Sequence, residues 1–172
     1  MKKLFLILFV ATGIIMQACE GPEGPPGEPG INIVGEAYEV EVSFNAENNY
    51  IEFFDFTEPL VEGDAVLVYM YEASPVDSEA FAWRLLPQTF YFENGILVYN
   101  FDYTPVDFSI FLDNSPIDFA QLDSYWTDNL LFRVVVLPAD LVSSSARMDF
   151  YDYEATMKYL DIEEGDFIRL TR

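Results

Sequence analysis

The amino-acid sequence predicts a mainly β domain, an antiparallel β-sandwich of general immunoglobulin-like architecture with a short C-terminal helix. Two observations carry this prediction. Apolar and polar residues alternate repeatedly over residues 31–172, as they do along strands that bury one face. Aromatic residues make up 17% of the chain, and together with many valines and isoleucines they favour strands over helices. About eight or nine strands with short connections account for this length.

The clearest alternation predicts two strands that each bury one face. In the first, the core side chains are Tyr38, Val40, Val42 and Phe44. In the second, they are Val106, Phe108, Ile110 and Leu112. Two further segments, 66–71 and 130–137, are apolar on both faces, as strands in the centre of a sheet are. Weaker candidate strands lie near residues 50–56, 81–86 and 166–170.

A β-hairpin is predicted at Asn94-Gly95, because both residue types tolerate the positive φ that a type I′ turn requires. A two-residue loop there pairs Phe92 with Leu97 and Phe90 with Tyr99. One face of the hairpin then carries Phe90, Phe92, Leu97, Tyr99 and Phe101. The alternation and the turn residues thus point independently to the same hairpin.

Helical signals are few. Residues 138–142 fit a single helical turn. Asp152 is a candidate N-cap for a helix from Tyr153 to about Leu160, in which Tyr153, Met157 and Leu160 fall on one stripe. Residues 113–129 are predicted to form a long acidic loop that contains Trp126.

The first 18 residues have the order of a secretory signal peptide. Lys2 and Lys3 precede an apolar stretch over residues 4–15, which is too short to span a membrane. The next four residues, Met16-Gln17-Ala18-Cys19, resemble the lipobox of bacterial lipoproteins. That resemblance implies cleavage between Ala18 and Cys19 and lipid attachment at Cys19, the only cysteine of the chain. The alternative is an ordinary cleaved signal with an incidental cysteine.

Residues 19–30 follow as a lipidated cysteine and a spacer with glycine at every third position and proline between, a pattern typical of collagen and of polyproline II. Three triplets are too few to hold a triple helix, so a monomeric extended spacer is favoured over a trimer. With this segment, residues 132–138 and 153–160 resemble a group of Bacteroidota lipoproteins that have a short collagen-like segment after the lipobox cysteine. The resemblance implies a lipid-anchored protein of the bacterial outer membrane, at the cell surface or the periplasmic face, and it brings no catalytic residues.

The acidic composition limits the classes of partner that the chain is expected to bind. The formal charge is −22, and loss of Lys2 and Lys3 with the signal peptide leaves six basic and 30 acidic side chains, or −24. Such a domain repels nucleic acid and anionic lipid, so no nucleic-acid partner is expected and the lipid makes the membrane contact. A glycan or another envelope protein fits the surface better.

Catalysis by the common side chains is largely excluded. The chain has no histidine, and its one cysteine is assigned to the lipid, so histidine triads, histidine metal sites and thiol nucleophiles are absent. No catalytic residue and no cofactor are therefore predicted. Calcium is the alternative, with oxygen ligands from Asp113, Asp118, Asp123 and Asp128, although their spacing does not match an EF-hand and favours a solvated loop.

Four residues in the strands and the acidic loop remain open to two interpretations. Arg84 and Arg133 interrupt apolar strands and are predicted to pair with carboxylates in a structural role. Trp83 and Trp126 are predicted to lie in the core, with a sugar-binding platform as the alternative. The sequence thus predicts a lipid-anchored envelope protein with a non-enzymatic binding, adhesion or structural role. A glycan hydrolase that uses two carboxylates and a calcium-dependent glycan-binding module are the alternatives.

Overall fold

A computed structural model describes residues 35–73, 80–114, 117–144 and 148–171. The predicted signal peptide, its cleavage between Ala18 and Cys19, the lipid on Cys19 and the spacer lie outside the described residues. Within the described ranges the chain forms nine strands: β1 (Ala37–Val42), β2 (Ile51–Asp55), β3 (Ala65–Ala73), β4 (Phe81–Leu85), β5 (Gln88–Phe92), β6 (Gly95–Tyr103), β7 (Asp107–Asn114), β8 (Leu130–Leu137) and β9 (Ile168–Leu170). The helices described are α1 (Ala139–Ser144) and α2 (Tyr153–Leu160), and short 3₁₀ turns lie at Phe119–Gln121, Ser124–Trp126 and Glu164–Asp166. No helix among these residues is long and apolar enough to cross a membrane.

The strands form two packed sheets, which confirms the predicted mainly β sandwich. Sheet A has the order β4-β3-β8-β1-β9, and sheet B has the order β2-β7-β6-β5. Each pair of neighbours is antiparallel except β1 and β9, which run parallel. As predicted, β3 and β8 have neighbours on both sides and bury both faces.

The main core lies between the sheets, and alternation puts the predicted residues into it. Tyr38, Val40, Val42 and Phe44 are all buried, and so are Phe108, Ile110 and Leu112. Val106 is the exception, since 54% of its surface is exposed. Residues 104–107 form a turn in which the Thr104 amide donates to the Asp107 carbonyl at 2.8 Å. Strand β7 therefore starts only after Val106.

The predicted hairpin exists, but its pairing is shifted. Phe90 lies opposite Leu97 and Phe92 lies opposite Gly95, so the loop consists of residues 93–94. The reason is the backbone of Gly95, which takes φ +152° and already belongs to the strand, whereas Asn94 does not adopt positive φ. A shift of two residues keeps every side chain on its face. The five predicted side chains therefore do point into the main core.

A second core lies on the outer face of sheet A, where α2 covers the strands. Asp152 caps this helix as predicted, because its carboxylate accepts from the Ala155 amide at 3.0 Å. Met157 and Leu160 are buried, as the predicted stripe requires. They pack with Tyr69 and other outer-face residues of sheet A.

Candidate functional site

A buried carboxylate marks one end of the main core. Along β3 the residues that face the core are Val66, Val68, Met70 and then Glu72. Glu72 is only 7% exposed. Its Oε2 accepts a hydrogen bond from Nη1 of Arg84 at 2.8 Å, across the β3–β4 pair. This is the carboxylate partner that the sequence predicted for Arg84.

The opposite wall comes from β6 and the turn Ser124–Trp126. The buried Tyr99 hydroxyl donates to the Trp126 carbonyl at 2.7 Å, which fastens the turn to sheet B. Asp123 caps the turn by accepting from the Tyr125 amide at 2.9 Å. These two bonds place the Tyr125 hydroxyl 3.5 Å from Oε1 of Glu72.

Between these walls lies a cavity of about 240 Å³, which we call the end cavity. Its buried lining is provided by Met70, Glu72 and Tyr99. Among its exposed lining residues, Tyr125 is 51% exposed, and Tyr71 and Phe81 belong to the outer face of sheet A, where their rings stack with centroids 5.3 Å apart. The remaining lining residues are Trp126, Asp128, Asn129, Leu130 and Leu131.

Burial shifts the pKa values of two polar groups of the end cavity. Burial raises the pKa of Glu72 above its usual range, while the hydrogen bond and charge of Arg84 pull it down. Burial, and then the negative charge of Glu72, raises the pKa of Tyr125. A separation of 3.5 Å is long for a hydrogen bond, so Oε1 of Glu72 keeps capacity for a closer donor.

Trp126 lies at this site, as one of the two interpretations of the sequence proposed. Its ring packs edge-on against Phe90 and Phe92, with centroids 4.9 and 5.2 Å away. It therefore belongs to the core on one side and lines the end cavity on the other. The predicted core position of Trp126 is therefore confirmed, and the sugar-binding platform remains a prediction.

Trp83 and Arg133 lie elsewhere, on the outer face of sheet A. The Arg133 guanidinium carbon lies 4.3 Å from the Trp83 ring centre and 4.1 Å from that of Phe167. Its nitrogens donate to Glu39 at 2.9 and 3.1 Å, and also to Glu164. This is the structural pairing predicted for Arg133, and it makes Trp83 part of the packing.

The four candidate calcium ligands do not converge. Asp118 and Asp123 accept from backbone amides as caps of two separate turns, and Asp113 is exposed on β7. Asp128 accepts from the Thr127 hydroxyl at 2.8 Å and lines the end cavity. Among the residues that the structure describes, no three carboxylates are grouped as a metal ion would require.

Sequence reasoning did not select Glu72, Tyr125 or Asp128 as members of one site. Glu72 carried the only local signal, because it follows the two-faced apolar segment 66–71 within the same strand. Asp128 was selected only as a candidate calcium ligand and Tyr125 not at all, since the fold alone brings them to the cavity that Glu72 lines. Comparisons with protein-family models, curated proteins and solved structures found no match to this chain.

Proposed function

We propose that this chain is a lipid-anchored protein of the bacterial cell envelope whose sandwich domain has a non-enzymatic binding role, with the end cavity as its binding site. One observation carries the proposal. Glu72 is a core-facing carboxylate held by Arg84, and among the described residues its second oxygen has only the Tyr125 hydroxyl, 3.5 Å away, as a partner where it faces the cavity. That oxygen therefore keeps capacity for a closer hydrogen-bond donor on a ligand.

The shape of the end cavity supports a small-molecule ligand. Binding sites are concave and mostly apolar, with a few polar groups that fix the orientation of the ligand. Here the aromatic and aliphatic lining surrounds Glu72, Asp128 and Asn129. The volume of about 240 Å³ lies below the range of about 300–1,000 Å³ that suits drug-sized molecules, so the enclosed ligand is small.

The location rests on the sequence of residues 1–30. The lipobox resemblance supports a lipid on Cys19, and several acyl chains make such an anchor effectively permanent. An extended spacer of about a dozen residues reaches at most roughly 35–40 Å at about 3.1 Å per residue. The acidic domain would then stand clear of anionic lipid head groups while remaining tethered.

Fractionation of cells tests the anchor. Cys19→Ala should move the protein from membrane to soluble fractions, whereas Glu20→Gln, a change at the neighbouring residue, should leave it on the membrane. Retention of the Cys19→Ala protein on membranes would refute the lipid anchor. Protease treatment of intact cells then separates the surface from the periplasmic face.

Thermal unfolding tests the binding site. The full chain in a polyoxyethylene detergent is heated with neutral sugars, organic amines or carboxylic acids. Compounds of at least one class should raise the melting temperature of the wild type and of Glu58→Gln, an exposed glutamate outside the cavity lining. They should not raise that of Glu72→Gln. A shift that Glu72→Gln retains, or no shift with any class, contradicts the proposal.

The second candidate is a glycan hydrolase, and one observation favours it. Glu72 and Asp128 line the same aromatic cavity, and a pair of carboxylates is the usual machinery of glycoside hydrolysis. Burial raises the pKa of Glu72, as a general acid needs, while the neighbouring Arg84 cation pulls it down. Release of reducing ends from glycans that is lost in both Glu72→Gln and Asp128→Asn would establish the hydrolase instead.

A further inference from the structure

We infer that the free edge of strand β5 binds an extended, basic segment of a partner protein, which adds to sheet B as a further strand. This inference concerns a protein–protein surface and does not depend on the end cavity proposed above. Three observations carry it: the outward backbone groups of β5, the uncharged sequence of that strand and the acidic side chains beside it.

The backbone of β5 directs hydrogen-bonding groups away from sheet B at two residues. The Thr104 amide donates to the Asp107 carbonyl, so these two residues form a hydrogen-bonded pair where β6 meets β7. Because the pairs of an antiparallel ladder alternate, the even-numbered residues of β6 bond to β7 and the odd-numbered ones bond to β5. The β5 partners of these odd-numbered residues are Gln88, Phe90 and Phe92. The amides and carbonyls of Thr89 and Tyr91 therefore point to the free edge of the sheet.

Strand β5 also differs in sequence from the other strands at the sheet edges. In the two described sheets, the edge strands are β4 and β9 of sheet A and β2 and β5 of sheet B. Three of them contain charged residues, such as Glu52 in β2, Arg84 in β4 and Arg169 in β9. Strand β5 contains neither a charged residue nor a proline. Because charges and prolines at an edge oppose pairing with another chain, β5 is the edge strand of these sheets that lacks this protection.

The outer side of β5 offers apolar contact to an added strand. Tyr91 is 84% exposed, and Ile96, its cross-strand neighbour on β6, is 36% exposed. The residue of an added strand that lies opposite Tyr91 would have its Cβ about 4.5–5.5 Å from that of Tyr91. Pairs of an aromatic and a β-branched residue at this distance stabilise a sheet, so we expect the segment to present a β-branched residue there.

The side chains around β5 favour a basic segment. Glu93 follows the strand in the hairpin loop and is exposed. Beside Phe92 lies a cavity of about 230 Å³ whose lining includes the carboxylates of Asp118 and Asp123. In the part of the chain that the structure describes, none of these three carboxylates forms an ion pair. Lysine or arginine side chains of an added strand would pair with them.

A second copy of this chain fits the edge less well than a basic partner does. The four strands of sheet B contain no lysine and no arginine, and the whole chain carries a formal charge of −22. Pairing of two copies through β5 would bring the same acidic side chains together, and like charges oppose such an association. The occupant that the charges select is therefore a segment of opposite sign.

NMR titration of the full chain in polyoxyethylene detergent tests the inference, with a blocked peptide of alternating valine and lysine as the probe. The peptide should slow hydrogen exchange at the Thr89 and Tyr91 amides, because these amides gain partners, whereas the Phe90 amide is already bonded to β6. Two altered peptides should each bind about tenfold or more weakly. One carries glutamate in place of lysine, and the other is N-methylated at its central residues, which removes backbone donors but keeps the charge.

A substitution at the edge locates the binding. Thr89→Pro removes an outward amide and leaves the bonds to β6 in place, so affinity for the valine–lysine peptide should fall about tenfold or more. If Thr89→Pro does not fold, Thr89→Lys replaces it, because a lysine at the edge keeps the strand and repels the peptide. Thr57→Lys is the matched control, since Thr57 is exposed and follows β2 at the opposite edge of sheet B, and it should bind the peptide nearly as the wild type does.

A pair of double variants tests the charges beside β5. Asp118→Asn with Asp123→Asn removes two charges, while asparagine still caps the two turns, so peptide affinity should fall about tenfold. Asp55→Asn with Asp107→Asn is the control, because these residues pair across β2 and β7 at the opposite edge. The control removes the same net charge and should weaken binding less.

Four results would overturn the inference. Equal binding of the N-methylated and unmodified peptides would contradict strand addition, and equal losses in the two double variants would contradict the role of the carboxylates beside β5. Absence of binding by the valine–lysine peptide would contradict both. A wild-type dimer in sedimentation that Thr89→Lys abolishes would make a second copy of this chain the occupant of the edge.

Discussion

Arg133 and Arg84 each form an ion pair with a glutamate of sheet A, but they lie on opposite faces of that sheet. Arg133 is on the outer face, under α2, and is 5% exposed. It lies between two aromatic rings and donates to Glu39, Glu164 and the Tyr153 hydroxyl. Arg84 is on the inner face, opposite Met70, and its side chain is 30% exposed.

The two ion pairs differ in how many close hydrogen-bond partners their charged groups have. Burial disfavours the charge of Arg133, but hydrogen bonds to Glu164, Tyr153 and Glu39 outweigh it and raise the pKa of the guanidinium above its usual range. At the other pair, the described residues give the Glu72 carboxylate one close partner and one distant one. A carboxylate with a distant partner beside a cavity retains hydrogen-bonding capacity for a ligand.

The largest effect is expected from Arg133→Met. It leaves the Glu39 carboxylate buried without its main partner, which should lower the free energy of unfolding by about 3–5 kcal/mol in urea titrations. Arg169→Met is the matched control. It removes the other cation on Glu39, but the Arg169 side chain is 78% exposed, so the loss should stay under about 1 kcal/mol. Equal losses in the two variants would show that the Arg133 pair is not the structural centre described above.

A smaller loss of stability is expected at the Glu72–Arg84 pair, which we call the open pair. The loss should be larger when Arg84 is replaced than when Glu72 is replaced. Arg84→Gln leaves a buried carboxylate with one distant hydroxyl partner and should cost about 1–3 kcal/mol, towards the lower value because Arg84 is partly solvated. Glu72→Gln leaves Arg84 partly hydrated, so it should cost about 1 kcal/mol or less in the same titrations. Loss of ligand binding should accompany the Glu72 change nonetheless. A Glu72→Gln protein as unstable as Arg133→Met would make the open pair structural too.

Local patterns predicted the fold well where one segment decides its own structure. The alternation at Tyr38–Phe44 needed only the period of a strand, and the cap at Asp152 needed only its own side chain. The predicted hairpin register was wrong because a loop at Asn94-Gly95 requires positive φ at both residues, and only Gly95 adopts it. The parallel β1–β9 pair has no local marker, since it joins the two ends of the domain.

The end cavity was harder to predict than the fold for the same reason. Glu72 and Tyr125 are 53 positions apart, and Phe81 and Tyr99 come from two further strands. A charged residue at the end of an apolar strand was a usable signal for Glu72. Asp113, Asp118, Asp123 and Asp128 attracted attention by composition alone, and the structure disperses them among a strand and separate turns.

A pH series should distinguish the open pair from an ordinary surface carboxylate. Because the pKa of Glu72 in the folded state lies above its usual 4.5, the folded state binds this proton more tightly than the unfolded state does. The stability that this group contributes is therefore fully present below pH 4.5 and is lost as pH rises through the raised value. On acidification from neutral pH, the melting temperature of the wild type should improve relative to that of Glu72→Gln.

Ligand affinity should change in the opposite direction over that same window. Protonation removes the charge that makes Glu72 a strong acceptor, so affinity for a ligand that donates to this carboxylate should fall as pH is lowered. Titrations at several pH values check this together with the melting temperatures. Affinity and relative stability that fall together on acidification would contradict the assignment of Glu72 to both roles.

The smallest losses of stability are expected from replacing the two capping aspartates of the acidic loop. These variants also test whether a turn must be held in place for the end cavity to bind its ligand. Asp123→Ala and Asp118→Ala each remove one cap and should each cost about 0.5–1 kcal/mol. Of these two aspartates, only Asp123 holds the turn that carries Tyr125 and Trp126, so only Asp123→Ala should also weaken ligand binding at the end cavity. Calcium at about millimolar concentration should leave all three melting temperatures unchanged, since these carboxylates already serve separate turns. A calcium shift that both variants abolish would instead make the loop a metal site, and the open pair would then be only part of the binding surface.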